Sequence, residues 1–323
     1  MKKIVVLLLL CLIIAGCNDK DNVVTPTDNA KKVFVLNKVG VFSRYFINEN
    51  VTPLNGLSEG AYVSSMFVDE NDVYVTGVLF EGNITKAVYW KNGNITELSS
   101  EATATGIYVD GSDIYVSGVK NGAAVYWKNG TATILEPNAF TSDITVKNGE
   151  VFVSGYTVDK AKYWKNGTAI QLESKNGGGT SSISLSGNDI YVGGAVKNEM
   201  GFMVAVYWKN GNLVSLSNGM YNAQINDLYI SNGDLYAAGF DGTKAVYWKN
   251  GTMTALTDGS SAARANSIFV NGNDVYTAGY IYSPASCTST AWYWKNNTSF
   301  SLPVFLVNNT CVSGEAIAVY AVN

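Results

Sequence analysis

Apolar residues along this chain gather in short runs broken by Asn, Asp and Gly. The run Ala124–Lys128 reads AVYWK and is followed by Asn129-Gly130-Thr131. Close variants return at Ala87–Asn94, Ala161–Thr168, Ala205–Asn212 and Ala245–Thr252, and more loosely at Ala291–Asn297. The period is about forty residues, the mark of a repeat architecture. A second pattern precedes each tryptophan: MFVDENDVYVTG from Met66, IYVDGSDIYVSG from Ile107, ITVKNGEVFVSG from Ile144, ISLSGNDIYVGG from Ile183, LYISNGDLYAAG from Leu228 and IFVNGNDVYTAG from Ile268. Val, Ile, Tyr, Trp and Thr fill these runs, which predicts strands. In the second unit the strands are Ile107–Val109, Ile114–Ser117, Ala124–Lys128 and Ala132–Leu135, here called A to D.

The turns set the pairing. Asn-Gly is a two-residue hairpin signal, because both turn positions need positive φ. DGSD and NGND join strands A and B as tightly. Each unit is thus an antiparallel meander. Val125, Tyr126 and Trp127 are apolar in succession and cannot share one face of a sheet. Both faces of every unit must therefore be covered, as they are in a β-propeller. Six complete units run from Met66 to Leu302. Val33–Leu36 resembles strand B, and Arg44–Leu54 resembles strands C and D. The missing strand A appears at Ala316–Ala321. The expected fold is all-β: a seven-bladed propeller of four-stranded blades, its closing blade built from both ends of the chain. Trp90, Trp127, Trp164, Trp208, Trp248 and Trp294 then wedge between blades, and Asn71, Asp72, Asn188, Asp189, Asn273 and Asp274 form turns rather than calcium loops.

Composition narrows the chemistry. The 323 residues carry a net charge of −4, no histidine and arginine only at positions 44 and 264. Without histidine there is no Ser-His-Asp arrangement and no imidazole metal site. An acidic chain with so little arginine is no nucleic-acid binder. The start, MKKIVVLLLLCLIIAGC, has two lysines, an apolar stretch from Ile4 to Ile14 and then small residues. That layout is a secretory signal, too short for a membrane span. Ile14-Ala15-Gly16-Cys17 resembles the lipobox of bacterial lipoproteins. The resemblance implies cleavage before Cys17, lipidation of that cysteine and membrane attachment through the lipid. Residues 1–16 are then the signal peptide, 17–32 the lipidated cysteine with a polar tether, and 33–323 the propeller. Taken with the repeat, the chain resembles propeller-bearing lipoproteins of Bacteroidetes envelopes, which implies an envelope location at the outer membrane, periplasmic or surface-exposed.

Two groups of residues are candidates for function. Variable loops held by a rigid scaffold carry function, and here the B–C and D–A loops vary while the A–B and C–D turns repeat. Tyr156, Tyr221, Phe240 and Tyr280 on the B–C/D–A face are candidate ligand contacts. At the expected channel mouth, just before strand A, stand Ser65, Gly106, Asp143, Ser182, Asp227, Ser267 and Ala316, with Glu315 beside them. Asp143, Asp227 and Glu315 form a candidate rim for sugar hydroxyls or a cation. No motif calls for a cofactor, and calcium at that rim is the one candidate retained. The leading expectation is a monomeric, non-catalytic binding module for a glycan or a protein. A structural envelope protein without a small ligand is the alternative. A glycosidase using Asp143 and Asp227 as a carboxylate pair is the remaining enzyme reading. Of the four cysteines, Cys287 and Cys311 lie in loops on one face of adjoining blades, and in an oxidising compartment they are expected to form a disulfide.

Overall fold

A computed structural model describes residues 32–39, 42–48, 50–56, 60–70, 72–158, 160–283, 288–303, 306–307, 310–311 and 313–322. These residues form seven four-stranded antiparallel sheets and one small two-stranded sheet, with no helix among them. The expected propeller is present. Blade 1 joins Gly314–Val322 as strand A to Lys32–Val39, Phe42–Ile47 and Asn50–Pro53. Lys32 pairs with Val322 and Val39 with Gly314, so the two chain ends close the ring. Blades 2 to 7 follow in sequence, with A strands Ala61–Asp69, Ala102–Asp110, Phe140–Lys147, Gly178–Ser186, Ala223–Ser231 and Ala263–Asn271. Cys17 and Cys287 lie outside the described residues. Of Cys311 only the backbone is described, so the proposed Cys287–Cys311 bond lies outside them too.

The core consists of interfaces between blades. Trp90, Trp127, Trp164, Trp208, Trp248 and Trp294 are at most 1% exposed. Each packs against the blade before its own: Trp127 with Tyr74 and Ala87 of blade 2, Trp208 with Phe152 and Tyr163 of blade 4. Phe46 takes this place between blades 7 and 1.

The remaining letters of the repeat serve the turn face. Asn129 and Gly130 adopt φ of 49° and 82°, as a primed hairpin turn requires. The Asn129 side chain accepts from Ile114 N at 2.9 Å and donates to Asp113 Oδ1 at 2.7 Å. Lys128 Nζ lies 2.7 Å from Asp113 Oδ2 and 5.1 Å from the centre of the Tyr115 ring. The same Lys–Asp–Asn cluster recurs around Asp72, Asp189 and Asp234. The turn carboxylates thus tie the A–B turn to the C–D turn of their own blade.

Strand A differs from expectation. It starts about five residues earlier than its apolar run suggests and contains a β-bulge, which inserts one extra residue. In blade 2 the register shifts between Val63 and Ser65, and in blade 6 between Ile225 and Asp227. The polar pair Ser64-Ser65 interrupts the alternation and reads as the end of a loop, yet it lies inside a strand.

Candidate functional site

The bulges build the channel wall. A bulge frees backbone groups from the ladder, and buried backbone groups need partners. Two belts of side chains supply them. Each bulge residue reaches the next blade: Ser64 Oγ donates to Ala104 O at 2.8 Å, Ser142 Oγ to Thr180 O at 2.7 Å and Ser181 Oγ to Ile225 O at 2.6 Å. Thr105 Oγ1 lies 2.8 Å from Thr141 Oγ1, and the amides of Asn226 and Asn266 donate to Ala265 O and Ala316 O at 2.8 and 3.0 Å. Blade 1 has Ile317 here, which carries no donor, so the belt stops at the seam between blades 1 and 2.

The residue after the bulge forms the second belt. Asp143 accepts from Ile144 N at 2.8 Å and from Ile183 N of the next blade at 3.1 Å. Asp227 accepts from Leu228 N at 2.8 Å and from Ile268 N of the next blade at 2.9 Å. Ser182 Oγ stands between them, 3.2 Å from Asp143 Oδ2 and 3.1 Å from Asp227 Oδ1, and accepts from Leu228 N. All four carboxylate oxygens are thus engaged. Gly106 leaves the room Asp143 occupies, since a Cβ there would stand 2.9 Å from Asp143 Oδ1. Burial pushes the Asp143 carboxyl up to about 7, with the neighbouring charge of Asp227 adding to the rise. Burial raises Asp227 as well.

Asp143 and Asp227 therefore sit inside the channel, at mid-strand, and not at its mouth. Glu315 does not join them. The bulge in blade 1 makes Ala318 the counterpart of Asp143, and Glu315 stands nearer the B–C/D–A face, opposite Lys38. Among the described residues no three acidic or thiol side chains converge to hold a metal ion. The three-carboxylate calcium rim is not assembled.

From the belts towards the A–B turns the channel holds a cavity of about 680 Å³. The residue two places after each belt position lines it. In blades 3, 2, 1, 7 and 6 that residue is aromatic: Tyr108, Phe67, Tyr320, Phe269 and Tyr229. Ring centres of successive members lie 4.9, 6.1, 4.9 and 4.7 Å apart. Blades 4 and 5 place Thr145 and Ser184 there instead.

At the B–C/D–A face the candidate contacts separate into two places. Phe240 lies under Arg264, whose guanidinium carbon is 3.6 Å from the ring centre. Tyr280 pairs with Arg264 across strands A and B and feels the charges of both Arg264 and Glu315, although burial is the main cause that raises its phenol. Lys38 Nζ sits 4.7 Å over the Tyr62 ring. Tyr221, 63% exposed, stands on the same side of the ring in blade 6. An arc of aromatic and charged side chains therefore crosses blades 6, 7, 1 and 2. Tyr156 lies apart, stacked on Phe140 with ring centres 5.5 Å apart. Arg264, Lys38 and Tyr62 were not singled out from sequence. The only available signal was that Arg264 is one of two arginines.

No protein-family model and no curated relative matches the chain. Solved structures share the fold. A Mycobacterium tuberculosis puromycin-hydrolyzing peptidase matches at 8% identity and TM-score 0.56, over 81% of this chain and 49% of that one. A prolyl endopeptidase matches at 11% identity and TM-score 0.51, over 89% and 50%. The β-propeller domain of the Trilobed protease from Pyrococcus furiosus, described as an open velcro topology, matches at 11% identity and TM-score 0.52, over 86% and 93%. The chain spans about half the length of the first two. Such low identity speaks for the fold alone.

Proposed function

We propose that this protein is a non-catalytic binding module, held at the bacterial envelope by a lipid on Cys17, that docks a protein ligand on the arc formed by Tyr221, Phe240, Arg264, Tyr280, Glu315, Lys38 and Tyr62. One observation carries this reading: Arg264 is spread over Phe240 of blade 6, and its cross-strand partner Tyr280 feels both Arg264 and Glu315, which stands opposite Lys38 in blade 1. Arg and Tyr dominate the hot spots of protein interfaces. Met220, 61% exposed beside Tyr221, adds an apolar contact. A glycan is the second reading, favoured by the stacked Phe140–Tyr156 pair, since Phe140 is 43% exposed and offers a ring to a sugar. The absence of catalysis is supported by the channel carboxylates. A glycosidase acid must meet the leaving oxygen, and every oxygen of Asp143 and Asp227 is engaged by a protein donor.

The test places a photo-crosslinking residue at Tyr221 or Tyr62 in whole cells, with Met253, exposed on the outer strand of blade 6, as control. Adducts from the first two sites and none from Met253 support the reading. They should vanish in a Phe240→Ala/Arg264→Ala variant of unchanged melting temperature. Adducts that survive this double substitution, or equal yield at Met253, overturn it. Hydrolysis of a glycan panel that disappears in Asp227→Asn would refute the non-catalytic assignment.

A further inference from the structure

The cavity that runs from the belts towards the A–B turns is two-sided. Five aromatic rings, from Tyr229 round to Tyr108, form a continuous arc over blades 6, 7, 1, 2 and 3. The opposite wall, from blades 4 and 5, has Thr145 and Ser184 in place of rings and rises to Asp143 and Ser182, with Asp227 beside them. The chamber holds about 680 Å³, within the range of small-molecule sites. The lining is short of positive charge. Lys147 is its one cation among the described residues, and its Nζ is drawn off to the backbone carbonyl of Gly187 at the A–B turn of the next blade. Two half-buried carboxylates thus face the chamber with no cationic partner among the described residues.

We propose that this chamber binds a small organic ammonium ion, seated against the aromatic arc beneath Asp143 and Asp227. Both walls contribute. Aromatic faces attract a cation through the ring quadrupole, and more strongly where water is excluded. The two carboxylates set a negative potential that low-dielectric walls concentrate. An ammonium ion is weakly hydrated compared with a metal ion and needs no set of converging oxygens. That suits a site in which the carboxylate oxygens are already engaged by backbone N–H groups. A sugar would use the rings but gain nothing from the charge. Hydrated calcium would use the charge but needs several oxygen ligands, and no cluster of three carboxylates is present among the described residues. The chamber is separate from the upper arc, so this proposal stands without the docking reading.

Titratable groups facing the chamber are Asp143, Asp227, Lys147, Tyr108, Tyr229 and Tyr320. Burial and the neighbouring charge hold Asp143 near 7, and an ammonium ion favours its ionised form. Binding and ionisation are therefore linked, and affinity must rise between pH 6 and pH 8.

The test uses the full chain with tetramethylammonium and choline, read by calorimetry and by saturation transfer from the ligand methyl protons. Maltotriose and calcium are controls. The expected result is millimolar or tighter binding of both ammonium ions and severalfold gain from pH 6 to pH 8. Phe269→Leu should weaken it at least tenfold, while Met253→Ala, exposed on the outer strand of blade 6, leaves it unchanged. If Phe269→Leu fails to fold, Tyr229→Leu replaces it, and the pH dependence in the unaltered protein stands as a second measure. Absence of ammonium binding, equal binding of maltotriose, binding indifferent to pH, or binding unchanged by loss of an arc ring overturns the proposal.

Discussion

At the scale of the residue, one letter of the repeat serves two energetic situations. Trp208 Nε1 donates to Glu173 O at 2.9 Å, and Trp90 Nε1 to Asn55 O at 2.8 Å. Trp248 and Trp294 bury the same group without a partner. Replacement by phenylalanine leaves a similar void in either case. Only at position 208 does it also remove a hydrogen bond, while at position 248 it removes an unpaired donor. Trp208→Phe is therefore expected to cost more than Trp248→Phe by about 1–2 kcal/mol, read from denaturant unfolding of the two variants. Asp143 makes a prediction in pH. Its carboxyl is raised from 3.8 to about 7 in the fold. The folded state then holds a proton that the unfolded chain has released. Its contribution is complete below pH ~4 and is lost as pH rises through about 7. The loss is at most roughly 4 kcal/mol, at 1.4 kcal/mol per pKa unit. Unfolding measured at pH 5 and pH 8 should show stability falling with pH, and Asp143→Asn should flatten that slope. An unaltered slope in the variant would assign it to other groups.

At the scale of the element, strand A and strand B are shaped for each other. The bulge drives a carbonyl of strand A against strand B, and only glycine leaves room. A Cβ on Gly118 would lie 2.0 Å from Thr103 O, and one on Gly279 would lie 1.9 Å from Arg264 O. Trp127 closes the other side at 2.7 Å from the Gly118 position. These distances explain the Gly that ends VYVTG, IYVSG, VFVSG, IYVGG, LYAAG and VYTAG. Neither φ nor a turn demands it; space does. Gly118→Ala must push backbone against a packed tryptophan and should cost about 2–3 kcal/mol or more, at the upper end for overpacking. A melting temperature within a degree of the parent would contradict the bulge geometry. The bulge was hidden in the sequence because a polar pair inside a strand and a polar pair ending a loop look alike one residue at a time. Six copies of Ser-Ser, Thr-Gly, Ser-Asp, Ser-Ser, Asn-Asp and Asn-Ser before the apolar run were the trace it left.

At the scale of the whole molecule, closure rests on Gly314–Val322. This strand supplies Ala316, Val319 and Ala321 to the interface with blade 7 and Ala318 to that with blade 2. Removing residues 314–323 exposes the edge of Lys32–Val39 and one face of blade 7. An unpaired apolar edge is a template for aggregation. The truncated chain is expected to aggregate or to lose cooperative unfolding, and a soluble product with unchanged melting would refute the closed ring. Closure also leaves one weak place. The upper belt links each blade to the next except from blade 1 to blade 2, where Ile317 carries no donor, and among the described residues the strand backbones of these two blades approach each other at the fewest places. Hydrogen exchange should find the amides of Ala61–Asp69 opening before those of Gly178–Ser186, because opening begins where the fewest contacts hold the backbone.

What the sequence by itself determined is whatever repeats. Strand composition, Asn-Gly turns and a tryptophan in every unit depend on neighbours within about forty residues, so blade number, meander order, closure by the chain ends and burial of the tryptophans were all legible. The tertiary structure decided what depends on one blade meeting the next. Asp143 and Asp227 lie far apart in the chain, and only the ring brings them to the two sides of Ser182 and gives them the backbone donors of neighbouring bulges. Glu315 reads as their partner along the chain, yet strand pairing makes Ala318 the belt position of blade 1 and leaves Glu315 three residues earlier, opposite Lys38. The arc of Tyr108, Phe67, Tyr320, Phe269 and Tyr229 leaves only a recurring strand aromatic as its trace in the sequence. Each ring is an ordinary strand aromatic in its own unit, and a wall exists only because closure sets residue 320 between residues 67 and 269.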